Sequence, residues 1–335
     1  MQSLDPFRFN PARRALMKRS RCWFGALAAL LCLSTSTVAQ TTEWPSRTVT
    51  VVVGFDAGGV TDVMARVFAK YLQKDLGQPF VVENRAGAAG IIAATYVARA
   101  HPDGYTLLFA AAPQMLAAPK IQAATFDAQR DFVPITSVGA NAFVLAIKPS
   151  IPAKTIPELV AYAKANRITY GSPGVGSITH LLSALFMANA GIEATHVPFR
   201  GGDQALVALL GGQIDMYFSP VGNVVSYIGT PQLTLLGTAT GKRLAQLPKV
   251  PTLGEFYPNT VLPSWNGFMA PAKTPKDVID KLSRSLVAAV KDPEIAAMMD
   301  KLGIEPQGQS PEAFAAHLGN DGARFDDAIK AAKIK

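Results

Sequence analysis

The sequence predicts an α/β protein of two lobes, each built on a parallel sheet, and three observations predict it. β-Branched runs alternate with helical periodicity through residues 48–110, the pattern of βαβ units. The same alternation restarts near Thr155 and runs to Thr238. Two extended stretches, Pro134–Ile147 and Trp265–Ala270, stand where the chain would cross between the two blocks. A chain of 335 residues also suits roughly two domains of about 100–200 residues each. Lobe 1 is expected to comprise residues 40–140 with 262–335, and lobe 2 residues 141–261.

The first forty residues stand apart. Arg13, Arg14, Lys18, Arg19 and Arg21 surround or precede an apolar run, Cys22–Leu33, and Thr37-Val38-Ala39 offers small residues before Gln40. That order of basic, apolar and small-residue regions marks a secretory signal, and the run is short for a membrane span. Residues 1–39 are therefore expected to be a signal peptide, with translation starting at Met1 or Met17, and the periplasm is the expected address. The Arg13-Arg14 pair is a weaker twin-arginine candidate, and Leu31 before Cys32 argues against lipidation. The segment also carries most of the charge. The whole chain has 32 Lys+Arg and 24 Asp+Glu, net +8; residues 1–39 hold six and one of these, leaving 26 against 23, a net charge of about +3. No basic stripe interleaved with aromatics remains, so nucleic acid is not an expected partner. Cys22 and Cys32 lie in the same segment, so the mature chain has no disulfide or thiolate chemistry to offer. Hydrophobic residues, 49% of the total, supply ample cores.

Taken in order, Thr48–Gly54 reads as a buried strand, and Phe55–Asp62 as the turn into a helix continuing through Leu72. Pro79–Glu83 is a second strand, Gly87–Ala100 a glycine-started helix and Tyr105–Ala110 a third strand. Ligands of parallel sheets bind beyond the carboxyl ends of the strands, where the turn after Gly54 falls. Thr155-Ile-Pro-Glu158 reads as a capping box opening a helix to Ala165. Residues 167–180 then give a short strand, a loop rich in Gly and Ser, and a helix reaching about Ala190. Strand Ala194–Pro198, turn Phe199-Arg200-Gly201-Gly202, helix Asp203–Leu210 and strands Gln213–Ser219 and Leu233–Thr238 complete the block. Thr274-Pro275, Asp292-Pro293 and Ser310-Pro311 each place a cap before a first-turn proline, so three helices close the chain.

The two glycine-rich loops carry the chemistry. Glycines let backbone approach a ligand, and the first N–H groups of the following helix favour an anion. Ser172, Ser177 and Thr179 add hydroxyl donors. The plainer reading of Gly58-Gly59 is a tight turn with Thr61 or Asp62 as cap, and of His180 a hydrogen-bonded structural residue. Asp215 is read either as a brace for a loop near the site or as a strand-end turn residue. Arg200 is either a ligand counter-charge or a solvated turn residue. Gly-Val-Gly-Ser177 faintly resembles a nucleophile elbow, so an exported serine hydrolase using Ser177 is the alternative function, although the spacing is not G-x-S-x-G. The dinucleotide fingerprint is missing, and His101, His180, His196 and His317 have no ligand-like spacing. No cofactor, metal or catalytic residue is expected.

Four blocks in order, WPSRTVTVVVGFDAGGVTDVMARV, VVENRAGAAGIIAATYVARAHPDGYTLL, YGSPGVGSITHL and VPFRGGDQALVALLGGQIDMYF, resemble the Bug family, the TctC-type receptors of tripartite tricarboxylate transport systems. The resemblance implies a type II periplasmic-binding-protein fold, two α/β lobes joined by crossover strands with the ligand cleft between them. It implies a monomeric receptor that captures a small organic acid or amino-acid-like ligand and delivers it to membrane permease subunits, or serves a sensor. Carried over by position, one ligand loop would be Phe55, Ala57, Gly58, Gly59, Thr61 and Asp62. The other would be Ser172, Gly174, Gly176, Ser177 and Thr179, with Arg200, Gly201 and Gly202 nearby. Three departures are candidates for specificity: Asp56 where the family usually has proline, Ala112 and Gln114 where it commonly has a Ser/Thr-His pair, and Asp203 where it usually has a small residue. Added carboxylates disfavour a second ligand carboxylate, so a monocarboxylate, an amide or an amino-bearing ligand is expected.

Overall fold

The first lobe is built around β1 (Val49–Val53), a five-residue β-branched strand buried along most of its length because helices cover both faces of the sheet. In the computed structural model, which describes residues 43–258 and 260–331, β1 lies parallel to β2 (Phe80–Asn84) on one side and β3 (Thr106–Ala111) on the other. The expected signal peptide lies outside the described residues. Two antiparallel strands extend the sheet, β10 (Trp265–Pro271) against β3 and β4 (Phe132–Asn141) against β10, and β11 (Ile304–Pro306) pairs with β4 at the edge. The order is β11-β4-β10-β3-β1-β2. Helix α1 (Val60–Leu76) covers one face through Met64, Ala65, Phe68, Ala69 and Leu72, the spacing of one helical stripe, and ends on Gly77 in the left-handed conformation (φ 74°). Phe68 and Phe109 both meet the edge or face of Phe268, at centroid distances of 6.0 and 5.0 Å.

The second sheet has the order β7-β6-β8-β5-β9. Its strands are β5 (Phe143–Ile147), β6 (Ile168–Ser172), β7 (Ala194–Pro198), β8 (Met216–Pro220) and β9 (Thr234–Thr238). Strand β6 runs parallel to β7 and β8, whereas β5 is antiparallel to β8 and β9. The Pro134–Ile147 stretch is thus two strands in different sheets with only Ala142 between them, and Trp265–Pro271 is the first strand back in the six-stranded sheet. One buried apolar cluster runs through this region, taking in Leu108, Trp265 and Phe314 on one side and Leu145 and Phe218 on the other.

Several local expectations change in the folded chain. Thr155 does cap the helix Ile156–Ala165, accepting from Glu158 N, but the Glu158 carboxylate bonds Lys154 N rather than closing the box on Thr155. Asp292 and Ser310 cap their helices through Ile295 N and Ala313 N respectively. Thr274 does not, because its hydroxyl donates to Pro271 O. The helix expected from Gly87 starts only at Ile91; Ala88 and Ala89 form a 3₁₀ turn at φ 48° and 53°, a left-handed conformation costly for a residue with a Cβ. Asp215 takes the second of its expected roles, a residue of the turn at the strand end: standing immediately before β8, it accepts from Thr169 N and Oγ1 and pairs with Lys148 at 2.7 Å, bracing the starts of β6 and β8 outside the cavity lining.

Candidate functional site

Three helix N-termini meet at one cavity of about 90 Å³, against about 10–15 Å³ for a single water on that measure. Helix α1 begins after Gly59, which offers no side-chain cap. Helix α6 (Ile178–Ala190) begins after Ser177, and helix α7 (Gly202–Leu210) after Gly201, again without a side-chain cap. Glycine at two of these caps leaves first-turn N–H groups that the protein's own side chains do not claim. Such groups, with the aligned helix dipoles behind them, attract negative charge.

Each loop is held from behind. Asp62, 2% exposed, accepts from Gly58 N at 2.9 Å, from Arg66 Nε at 2.9 Å and from Asn84 Nδ2 at 2.8 Å. The Asn84 amide also donates to Phe55 O, so one side-chain group clamps both ends of the turn. Burial pushes the Asp62 carboxyl up, but the bonds from Arg66, Gly58 and Asn84 outweigh it and hold the group below its ordinary range. In the second loop Ser172 Oγ lies 2.7 Å from His196 Nε2 and within hydrogen-bond reach of both N and O of Gly174. His180 Nδ1 accepts from Gly176 N at 3.1 Å, and its ring stacks on His196 with centroids 4.3 Å apart. Burial, reinforced by the neighbouring His196, lowers the His180 pKa to about 4, so the imidazole is neutral at pH 7. Gln114 braces the wall opposite: buried completely, it accepts from Ala111 N and donates to Gly90 O.

Of the loop residues expected at the site, Phe55, Gly59, Thr61, Ser177, Thr179 and Gly202 line the cavity, joined by the specificity candidates Asp56 and Asp203. The others lie outside the lining. Ala57 and Gly58 are exposed beyond the turn. Asp62, Ser172 and Gln114 are spent on the internal bonds just described, and Ala112 is buried in the core. Gly174 and Gly176 face the other lobe: a Cβ on Gly176 (φ 83°) would come within 3.1 Å of Ala118 Cα, and Gln122 Nε2 donates to Val175 O. Arg200 is exposed. Gly201 is buried against Asp56, whose Oδ2 a Cβ there would overlap. The hydroxyl of Ser177 donates to Gly174 O at 2.7 Å, and the His180 nitrogen nearest the loop is bonded to Gly176 N, so no imidazole is placed to take a proton from Ser177.

Other lining residues were not anticipated. Tyr217 sits inside an apolar strand, where periodicity gives it no functional mark, yet its hydroxyl reaches the cavity wall and has no hydrogen-bond partner within the chain. Asn141 and Asn266 come from the crossover strands β4 and β10, and Ser264 immediately precedes β10. Asn141 donates to Asn266 Oδ1 at 2.5 Å, Asn266 donates to Ala110 O, and the Asn141 Oδ1 is buried without a partner. An Asn at the end of an extended run, immediately before the chain changes sheets, was the available signal. Ala89 enters from the strained turn. Among the described residues the lining includes no Lys, Arg or His.

Two α/β lobes with converging helix N-termini in the cleft define a solute-binding protein, and known proteins agree. The profile of the tripartite tricarboxylate transporter family receptor, TctC, matches residues 64–334. The chain belongs to this family. It is 34% identical over 310 residues to a UPF0065 protein of Bordetella bronchiseptica, covering 92% of each chain. It superposes on the structure of the periplasmic binding protein BugD with a TM-score of 0.83 at 33% identity, covering 87% of this chain and 99% of that one. Rpa4515 of R. palustris, determined with adipate, gives the same TM-score at 31% identity, with coverage of 87% and 99%.

Proposed function

We propose that the protein is a periplasmic receptor that closes its two lobes on a small organic acid and presents it to membrane permease subunits or a sensor. The observation that carries this reading is the meeting of three helix N-termini, contributed by both lobes, at one small cavity. A ligand carboxylate there would be held by first-turn N–H groups of α1 and α6, with Thr61 and Thr179 as side-chain donors. Adipate in Rpa4515 supports a carboxylate as the ligand's anchoring group. Residues 1–39 would direct export and be removed; 40–140 with 262–335 would move as one lobe and 141–261 as the other. Ligand touches both lobes only when they are closed, so binding draws the open–closed equilibrium toward closed. Among the described residues no helix is long and apolar enough to cross a membrane, which fits a receptor handing its cargo to separate membrane subunits.

A thermal-shift screen of the purified protein against short carboxylates and amino acids tests this directly. Ligand at about 100 times its Kd stabilises by about 2.7 kcal/mol. At about 2–4 °C per kcal/mol, the expected rise in Tm is several degrees. A protein verified free of ligand that shifts with no member of the screen, and hydrolyses generic esters in a Ser177-dependent manner, would replace the receptor by the hydrolase.

A further inference from the structure

Resting on the receptor reading, we propose that Asp56, Asp203 and Tyr217 form a subsite for an ammonium group, so that the ligand is a compact amino-carboxylate rather than a dicarboxylate. Asp56 is half-buried and lies across the cleft from its own lobe, its carboxylate packed on Gly201 at the start of α7. Asp203 occupies the first turn of the same helix, with Oδ1 accepting from Asn223 Nδ2 at 2.9 Å and Oδ2 turned toward Gly59. Of the three helix N-termini at the cavity, the one at α7 is thus already supplied with negative charge by the protein itself. A second ligand carboxylate at that end would meet two carboxylates and no cationic side chain in the lining.

Tyr217 makes the subsite more than a pair of acids. Its side chain is fully buried, its hydroxyl has no partner within the chain, and a Cβ on Gly202 would lie 2.9 Å from that oxygen. The hydroxyl therefore stands at the start of α7, beside Asp203. A buried hydroxyl left unmatched is costly, and a ligand N–H donating to its oxygen would relieve it. Burial and the neighbouring Asp56 carboxylate push the Asp203 carboxyl up, with the Asn223 bond partly offsetting them. Asp203 is exposed at the cleft and Asp56 half-buried beside it, so the two carboxylates repel each other and a cation between them relieves the repulsion. The ligand carboxylate then falls to the termini of α1 and α6, where Gly59 and Ser177 stand in the same cavity.

The test is a matched series read by calorimetry: 4-aminobutyrate, butyrate and succinate, then β-alanine, propionate and malonate, with the common α-amino acids alongside. At least one amino-carboxylate is expected to bind tenfold or more tighter than its matched monoacid and diacid. Asp56→Asn with Asp203→Asn should erase that preference while leaving the ligand-free Tm within a few degrees, since both groups stand at the cleft rather than in the core. Tyr217→Phe should weaken the amino-carboxylate without favouring the diacid. A diacid or plain monoacid that binds the wild type as well as the amino compound overturns the ammonium subsite and leaves the receptor standing. Silence across the whole series and the wider acid screen overturns the receptor reading itself, and the subsite with it.

Discussion

At the scale of single residues, the glycines of the second loop serve a different purpose from the one their spacing suggests. Gly174-Val-Gly176 looks like backbone opened for a ligand, but Gly176 faces Ala118 of the opposite lobe. Gly176→Val should therefore abolish closure rather than block the ligand's seat. Its left-handed φ adds about 1–2 kcal/mol of strain, so Tm falls as well. Gly201→Ala separates the two effects, because Gly201 has φ −150°, open to any residue, while its Cβ would overlap the Asp56 carboxylate. The expected result is near-wild-type stability with ligand affinity down tenfold or more, and small-angle scattering showing no compaction on adding ligand. Compaction as in the wild type would mean that the lobes do not meet at Gly201. Sequence could mark these glycines as important but not say what they face, because the facing residues lie tens of positions away on another lobe.

At the scale of elements, the strand–turn–helix units were legible because β-branched runs, glycine turns and helical stripes are local patterns, and β1–α1 and β6–α6 follow them closely. What holds those turns was less legible. Asp62 is an acidic residue in a first turn, as a cap or ligand loop would have it, yet its carboxylate is consumed by Gly58, Arg66 and Asn84. Removing it takes one partner each from the Gly58 N–H, the Arg66 guanidinium and the Asn84 amide, so Asp62→Ala should cost about 1–3 kcal/mol and loosen the turn carrying Phe55 and Asp56. Asp292→Ala is the comparison: it removes a helix cap remote from the cavity and should cost about 1 kcal/mol with affinity unchanged. Equal losses of affinity in the two variants would show that Asp62 acts only through global stability. For Asp215 and the crossover asparagines, it was the contacts that escaped sequence reasoning, for a related reason. Their partners, Lys148 and Thr169 in one case and Ser264 and Asn266 in the other, are set by sheet order rather than by spacing along the chain.

At the scale of the whole molecule, the stacked rings of Tyr170, His180 and His196 link the stability of the fold to pH through the ligand loop. His180 is buried and neutral, with its pKa lowered to about 4, and burial also lowers that of His196. A folded pKa below the unfolded value of about 6.5 means that the unfolded chain takes up protons first. The stability due to these groups is therefore fully present above pH 6.5 and is lost as pH falls toward 4, by about 3 kcal/mol for His180 at 1.36 kcal/mol per pH unit. Asp203 and Asp321, whose carboxyls are raised, oppose the loss near its acidic end, and Asp62 and Asp215, held low, add to it only below about pH 4. Urea unfolding at pH 7.5, 6 and 5 should show stability falling with pH, and His180→Gln should flatten the fall. Ligand affinity should behave differently. The folded receptor keeps His180 neutral until pH approaches 4, so the Gly176 bond persists and His180 itself contributes no loss of affinity between pH 7 and pH 5. A protein whose stability and affinity decline together from pH 6.5 would place an ionisable histidine at the ligand itself, contrary to the lining of this cavity.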